Sequence, residues 1–251
     1  MEATATLLPR TDQRLERQSD RRFFSGLAIL LALAVLLGFA QTYFLRPLFR
    51  PTALTPLVHI HGFVYTLWMV LLIVQTRLVA AGRTDIHRRL GMSAFALAVL
   101  MEVFGILIPI AFAQAGNHLK GLTPSATMAI QLTNMVTFPL LIGAALYLRR
   151  QPAAHKRLMM LATLAVMSPA FVRIVRQCCT FIPISFIMVG YLLVDALVLV
   201  MFLYDWRTQR SIQRATLWGG LLLLAAHPFR FWLATTTGWE RFAKWLMQLG
   251  Q

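Results

Sequence analysis

The sequence predicts an all-α fold: a polytopic membrane helix bundle with about seven transmembrane helices. Three observations predict it. The 251 residues are 58% hydrophobic and only 13% charged, against roughly 45–50% and 25% in soluble domains. Apolar runs recur that reach the roughly 20 residues a helix needs to cross a bilayer. Basic residues, which give a net charge of +15, gather between those runs. This balance excludes a disordered chain, a nucleic-acid-binding domain and an ordinary soluble enzyme; the lipid bilayer is the expected partner.

Seven segments meet the length requirement: Phe23–Phe44, Leu57–Ala80, Leu90–Ala113, Ala126–Leu148, Leu158–Phe181, Ile184–Tyr204 and Ala215–Thr235. A basic segment, 1–22, precedes the transmembrane domain, 23–236, and an amphipathic segment, 237–251, follows it. The first span does not read as a cleavable signal, because a polar stretch precedes it and no small-residue cleavage site follows. The fifth span carries Arg173 and Arg176, and only Ile182–Pro183 separates it from the sixth. Proline cannot continue the helical ladder, so a break is expected there. Sixteen basic residues fall on one side of the spans and eight on the other. The positive-inside rule then predicts a cytoplasmic N-terminus and an external C-terminus. Arg14, Arg17 and Arg21 share a helical face suited to anionic headgroups. Trp239, Phe242, Trp245, Leu246 and Leu249 recur at helical spacing and predict an interfacial helix.

An internal repeat supplies the first candidate site. His87-Arg88-Arg89-Leu90-Gly91-Met92 aligns with His155-Lys156-Arg157-Leu158-Met159-Met160. Spans 2–3 and 4–5 read as two parallel copies of one helix pair. The repeat puts His87 and His155 at equivalent depths near helix N-termini, where the dipole and adjacent arginines favour neutral imidazole. Neutral imidazole is the form that ligates a metal or haem iron. Such basic N-termini also bind anionic groups, and gripping lipid headgroups is the bland role for the same residues.

A second group lies inside the membrane, where ionisable residues point to function by default. Spans contribute His59 and His61, Glu102, Gln131 and Asn134, Arg173, Arg176 and Gln177, Asp195, and His227 with Arg230. At about 1.5 Å per residue, Glu102 and His227 lie roughly 18 Å from the cytoplasmic ends of their helices, Arg173 and Arg230 roughly 22 Å, and Asp195 roughly 14 Å. They form a polar layer in the outer half. Glu102 or Asp195 is expected to pair with Arg173, Arg176 or Arg230. Three arginines against two acids also leave room for an anionic ligand. Gly62 beside His61 admits close approach of a flat cofactor or another backbone.

Absences narrow the chemistry. No span contains a lysine for a Schiff base, and HExxH, Walker A and GxSxG motifs are missing. Adjacent Cys178 and Cys179 give neither a disulfide framework nor a CxxC motif. Haem b fits best, with His87 and His155 as axial ligands and Arg88, Arg89, Lys156 and Arg157 holding propionates. This layout resembles the four-helix cores of cytochrome b561-type proteins. One haem site is complete; on the outer side His61 faces only Gln131 and Asn134, with His118 in a loop. The chain also resembles uncharacterised bacterial multipass membrane proteins, through His59–Gly62, Trp68, Gln75, His87–Gly91 and His155–Met159. The resemblance implies a bacterial inner-membrane location and, for related short families, a role near respiratory oxidases. The leading expectation is therefore a haem-binding redox protein linked to a quinone or oxidase, with the polar layer binding a quinone or acidic headgroup. Two alternatives stand beside it. One is a transporter or assembly factor with an intramembrane proton or anion site. The other is a membrane hydrolase whose metal is held by His61, Glu102 and His227.

Overall fold

The computed structural model describes residues 10–50, 52–179 and 185–249. In chain order the helices are α1 (Arg10–Phe39), α2 (Arg46–Phe49), α3 (Pro56–Ala80), α4 (Thr84–Gln114), α5 (Pro124–Leu132) and α6 (Asn134–Tyr147). They continue as α7 (Pro152–Ala165), α8 (Ser168–Cys178), α9 (Phe186–Gln209), α10 (Arg214–Ala234) and α11 (Thr237–Gln248). A π-helical turn, Ala40–Phe44, joins α1 to α2. Among the described residues, six helical segments are long and apolar enough to cross a membrane, and a bent pair makes up to seven.

Local chemistry sets several boundaries. Threonine precedes proline at the start of α3 and α5, and proline is tolerated at a first helical position. Thr123 Oγ1 accepts the Ala126 N–H at 3.2 Å, and Thr236 Oγ1 accepts that of Trp239 at 3.3 Å to open α11. Helices α5 and α6 make one span, interrupted at Thr133, whose hydroxyl donates back to the Ala129 carbonyl at 2.7 Å.

The fifth span departs from the expectation of one continuous helix. It is two helices, α7 and α8, bent by 51°. Pro169 has no N–H to donate, and Val166 and Met167 instead bond three residues back, to Thr163 and Leu164 at 3.2 and 3.1 Å. The junction expected at Ile182–Pro183 lies outside the described residues.

This broken span runs through the centre of the bundle. Helix α7 packs on α6, α10, α1 and α9, and α8 packs on α1 and α9. Its side chains from Arg157 to Ala165 are buried apart from Met159. Hairpin α3–α4 packs beside α1 and against α5 and α6. Gly38 lets α1 reach the α8 backbone: a Cβ there would stand 2.5 Å from the Ala170 oxygen. The outer faces carry large apolar side chains such as Leu37, Phe63, Met92 and Trp218, all exposed, as hydrocarbon-facing surfaces do.

Helix α1 begins at Arg10 and runs unbroken through the basic segment into the first span. The side chains of Arg14 and Arg17 lie outside the described residues. Helix α11 is docked on α4 and α5 as well as amphipathic. Ala243 packs with Ala113 and Met128, Trp239 Nε1 donates to the Ser125 carbonyl at 2.7 Å, and Gln114 donates to the Met247 carbonyl at 3.1 Å. Phe242, Trp245 and Leu249 remain exposed on its other side.

Candidate functional site

The repeat brings its two histidines together. His87 is the fourth residue of α4 and His155 the fourth of α7. In each case the backbone N–H bonds the residue before the helix, Arg83 at 3.1 Å and Gln151 at 2.9 Å. The rings sit edge to face with centroids 6.3 Å apart and planes at 80°. His155 Nδ1 lies 2.8 Å from the Ala145 carbonyl oxygen. A carbonyl only accepts, so Nδ1 carries the proton and Nε2 keeps a lone pair. His87 Nδ1 is buried without a partner among the described residues.

The basic residues beside the two histidines have different fates. Arg88 and Arg89 are exposed. Lys156 instead contacts the Asp20 carboxylate and sits 4.9 Å above the Phe24 ring. Arg157 is fully buried: Nη2 donates to Asp205 Oδ1 at 2.5 Å, Nε donates to the same oxygen at 3.0 Å, and Nη1 donates to the Ala153 carbonyl at 2.9 Å. Asp205 Oδ2 also accepts the Thr216 hydroxyl at 2.5 Å and the Gln213 N–H at 3.2 Å. Lys156 and Arg157 therefore tie α7 to α1, α9 and α10, which leaves Arg88 and Arg89 as the exposed cations of the repeat. The asymmetry follows from position, since α7 is central and α4 peripheral. Met92 is 74% exposed whereas its counterpart Met160 is 2% exposed.

The intramembrane residues divide into two clusters. In the first, His227 Nδ1 stands 2.6 Å from Asp195 Oδ1. Arg230, fully buried, donates from Nη1 to Asn134 Oδ1 at 2.8 Å and to the Tyr191 hydroxyl at 2.6 Å, and from Nε to the Ala226 carbonyl at 3.1 Å. Its guanidinium carbon lies 4.3 Å from the Tyr191 ring centre. Arg230 is thus satisfied by neutral groups, not by an acid.

The second cluster joins His61, Glu102, Gln131 and Arg173 in one respect: each holds a buried polar atom with no partner among the described residues. The His61 ring lies 4.3 Å from that of Tyr65, whose hydroxyl donates to the Met101 carbonyl at 3.1 Å. Arg173 donates to the Pro169 carbonyl at 2.9 Å and stacks 4.3 Å above Phe39. The expected pairing of Glu102 or Asp195 with Arg173, Arg176 or Arg230 is absent among the described residues. Nor do His61, Glu102 and His227 gather as a three-ligand metal site: no three His, Cys, Asp or Glu side chains among the described residues converge on one ion. The space at Gly62 is filled from within, by the Tyr43 ring, and the Tyr43 hydroxyl donates to the His59 carbonyl at 3.1 Å.

Sequence reasoning passed over Asp20, Tyr191, Asp205 and Thr216. A lone aspartate four residues before the end of α9 looks like an interfacial charge. Only its depth against α7 distinguishes it. An apolar groove of about 700 Å³, lined by residues including Ile106, Leu132, Leu222, Phe229 and Trp239, touches none of the candidate residues.

Fold and polar interior together define a polytopic helical membrane protein. Compared with known proteins, the chain matches no family model, no curated protein and no solved structure.

Proposed function

We propose that this membrane protein binds haem b between His87 and His155 and serves as a one-electron carrier. The paired imidazoles carry the reading. On separate helices with ring centres 6.3 Å apart, His87 and His155 would together hold one iron. The donor chemistry fits too: Ala145 holds His155 in the tautomer that presents Nε2, the second-shell device that orients ligating histidines. Gly91, one turn beyond His87, has open space where a side chain would project. Arg88 and Arg89 are free to meet propionates.

Haem held by His87 and His155 would supply one-electron exchange. The chain's own part is to hold both imidazoles on separate helices, orient His155 through the Ala145 carbonyl and supply the basic rim. A membrane quinone or a respiratory oxidase is the proposed redox partner. The proposed setting is the bacterial inner membrane with a cytoplasmic N-terminus, as the basic-residue bias supports.

The test is the reduced-minus-oxidised visible spectrum of the full chain purified after growth with a haem precursor. The expected result is a Soret and α-band at one haem per chain, lost in His87→Ala and in His155→Ala. A protein that folds but stays colourless when supplied with haem overturns the proposal.

A further inference from the structure

The haem reading makes no use of Arg173, and its surroundings are unlike those of the other buried arginines. Arg157 faces a carboxylate, and Arg230 has an amide and a phenol. Arg173 has a carbonyl of its own helix and the face of Phe39, and its Nε is buried with no partner. The charges acting on it are Arg50 and Arg176, both of its own sign and both exposed. No carboxylate among the described residues pairs with any of the three. A buried charge without a counter-charge is costly in a medium that cannot solvate it.

The local structure holds these cations in place. Gln177, one turn beyond Arg173, donates to the Gly38 carbonyl at 3.0 Å and fixes α8 against α1. Arg46 donates to the Thr52 carbonyl at 2.8 Å and to its hydroxyl at 2.7 Å, closing the turn that carries Arg50. His61, with its own unpartnered Nδ1, lies in the field of the same guanidinium. Arg173 and Arg176 thus stand three residues apart on α8, Arg50 closes the turn after α2, and none of the three is paired with an acid among the described residues.

We propose that Arg173, with Arg50 and Arg176 at its rim, is an oxyanion site that takes a phosphate group. Guanidinium groups suit phosphate because their planar N–H donors match its oxygens in pairs. The phosphate comes either from an anionic phospholipid headgroup or from free phosphate, and the chemistry of recognition is the same. The site is independent of the histidine pair and about 20 Å from it along the bundle.

The test uses the full chain in neutral detergent and reads the thermal midpoint as phosphatidylglycerol, phosphatidylcholine or inorganic phosphate is titrated in. Phosphatidylglycerol is expected to raise the midpoint by several degrees where phosphatidylcholine does not. Inorganic phosphate matching that rise identifies a free-anion site; phosphatidylglycerol alone acting identifies a headgroup site. Arg173→Gln should abolish the shift. Because that variant removes a buried group, Arg50→Gln/Arg176→Gln is tested as well; it alters only exposed side chains and should weaken the response about tenfold or more. A control, Arg210→Gln/Arg241→Gln, removes two other exposed arginines and should leave the response intact. No midpoint shift with either phosphate source, or equal losses in the control and the rim variant, overturns the proposal.

Discussion

Replacing Asp205 by asparagine tests whether the buried network at the α7–α9–α10 junction holds the bundle together. Arg157 is 0% exposed and Asp205 is 1% exposed. Asparagine keeps an oxygen for the Thr216 hydroxyl and the Gln213 N–H, which Asp205 now accepts at 2.5 and 3.2 Å. It leaves the Arg157 guanidinium without a counter-charge. Breaking a buried ion pair from one side costs about 3–5 kcal/mol. Replacing both partners by apolar side chains, Arg157→Met with Asp205→Leu, removes the charge that needed compensation. Such whole replacements are often neutral, and the remaining loss is the acceptor for Thr216 and Gln213, about 1–3 kcal/mol. The double variant should therefore be more stable than Asp205→Asn alone. Unfolding of the purified protein by sodium dodecyl sulfate, followed by circular dichroism, measures Asp205→Asn, Arg157→Met, Asp205→Leu and the double variant against the parent. A loss below about 1 kcal/mol for Asp205→Asn, or a double variant as unstable as the sum of the singles, refutes the reasoning.

Three further outcomes follow from the packing. Gly38→Val drives a side chain into the Ala170 backbone, which stands 2.5 Å from the Cβ position. It should lower stability by about 1–3 kcal/mol in the same assay, with Gly38→Ala losing less. Trp68→Phe keeps an aromatic six-membered ring but removes the buried pyrrole part of the indole and with it the 3.2 Å bond from Nε1 to Thr163 Oγ1 that joins α3 to α7. The expected loss is about 1 kcal/mol, and Thr163→Val on that background should add little. Arg230→Lys keeps the charge but cannot meet Asn134, Tyr191 and the Ala226 carbonyl from one planar group. It should cost about 1–3 kcal/mol, and Asn134→Ala in the same chain should then cost little more, as a double-mutant cycle would show.

Fold class was legible because hydrocarbon leaves a chain few options. Long apolar runs must be helical to satisfy their own backbones, and Phe23–Phe44, Leu57–Ala80 and Ala215–Thr235 all lie on helices in the structure. The break inside the fifth span was less legible. Pro169 marks a weak point, yet Pro109, Pro139 and Pro228 lie inside helices that continue past them. The repeat predicted that His87 and His155 lie at one level, and they do, four residues into their helices. The sequence could not assign roles to the cations beside them. Arg89 and Arg157 align in the repeat, but one faces outward and the other faces Asp205.

The sequence by itself determined the all-α membrane class and the approximate limits of most of its apolar helices. Hydrophobic length and the self-satisfied helical backbone are local properties, read along one chain. Tertiary structure alone decided who partners whom: Arg157 with Asp205, Arg230 with Asn134 and Tyr191, His227 with Asp195, and Arg173 with no acid among the described residues. Depth along a helix follows from counting residues. The direction in which a side chain faces depends on how helices are arranged around α7, and charge compensation in a low-dielectric interior acts only across those few ångströms.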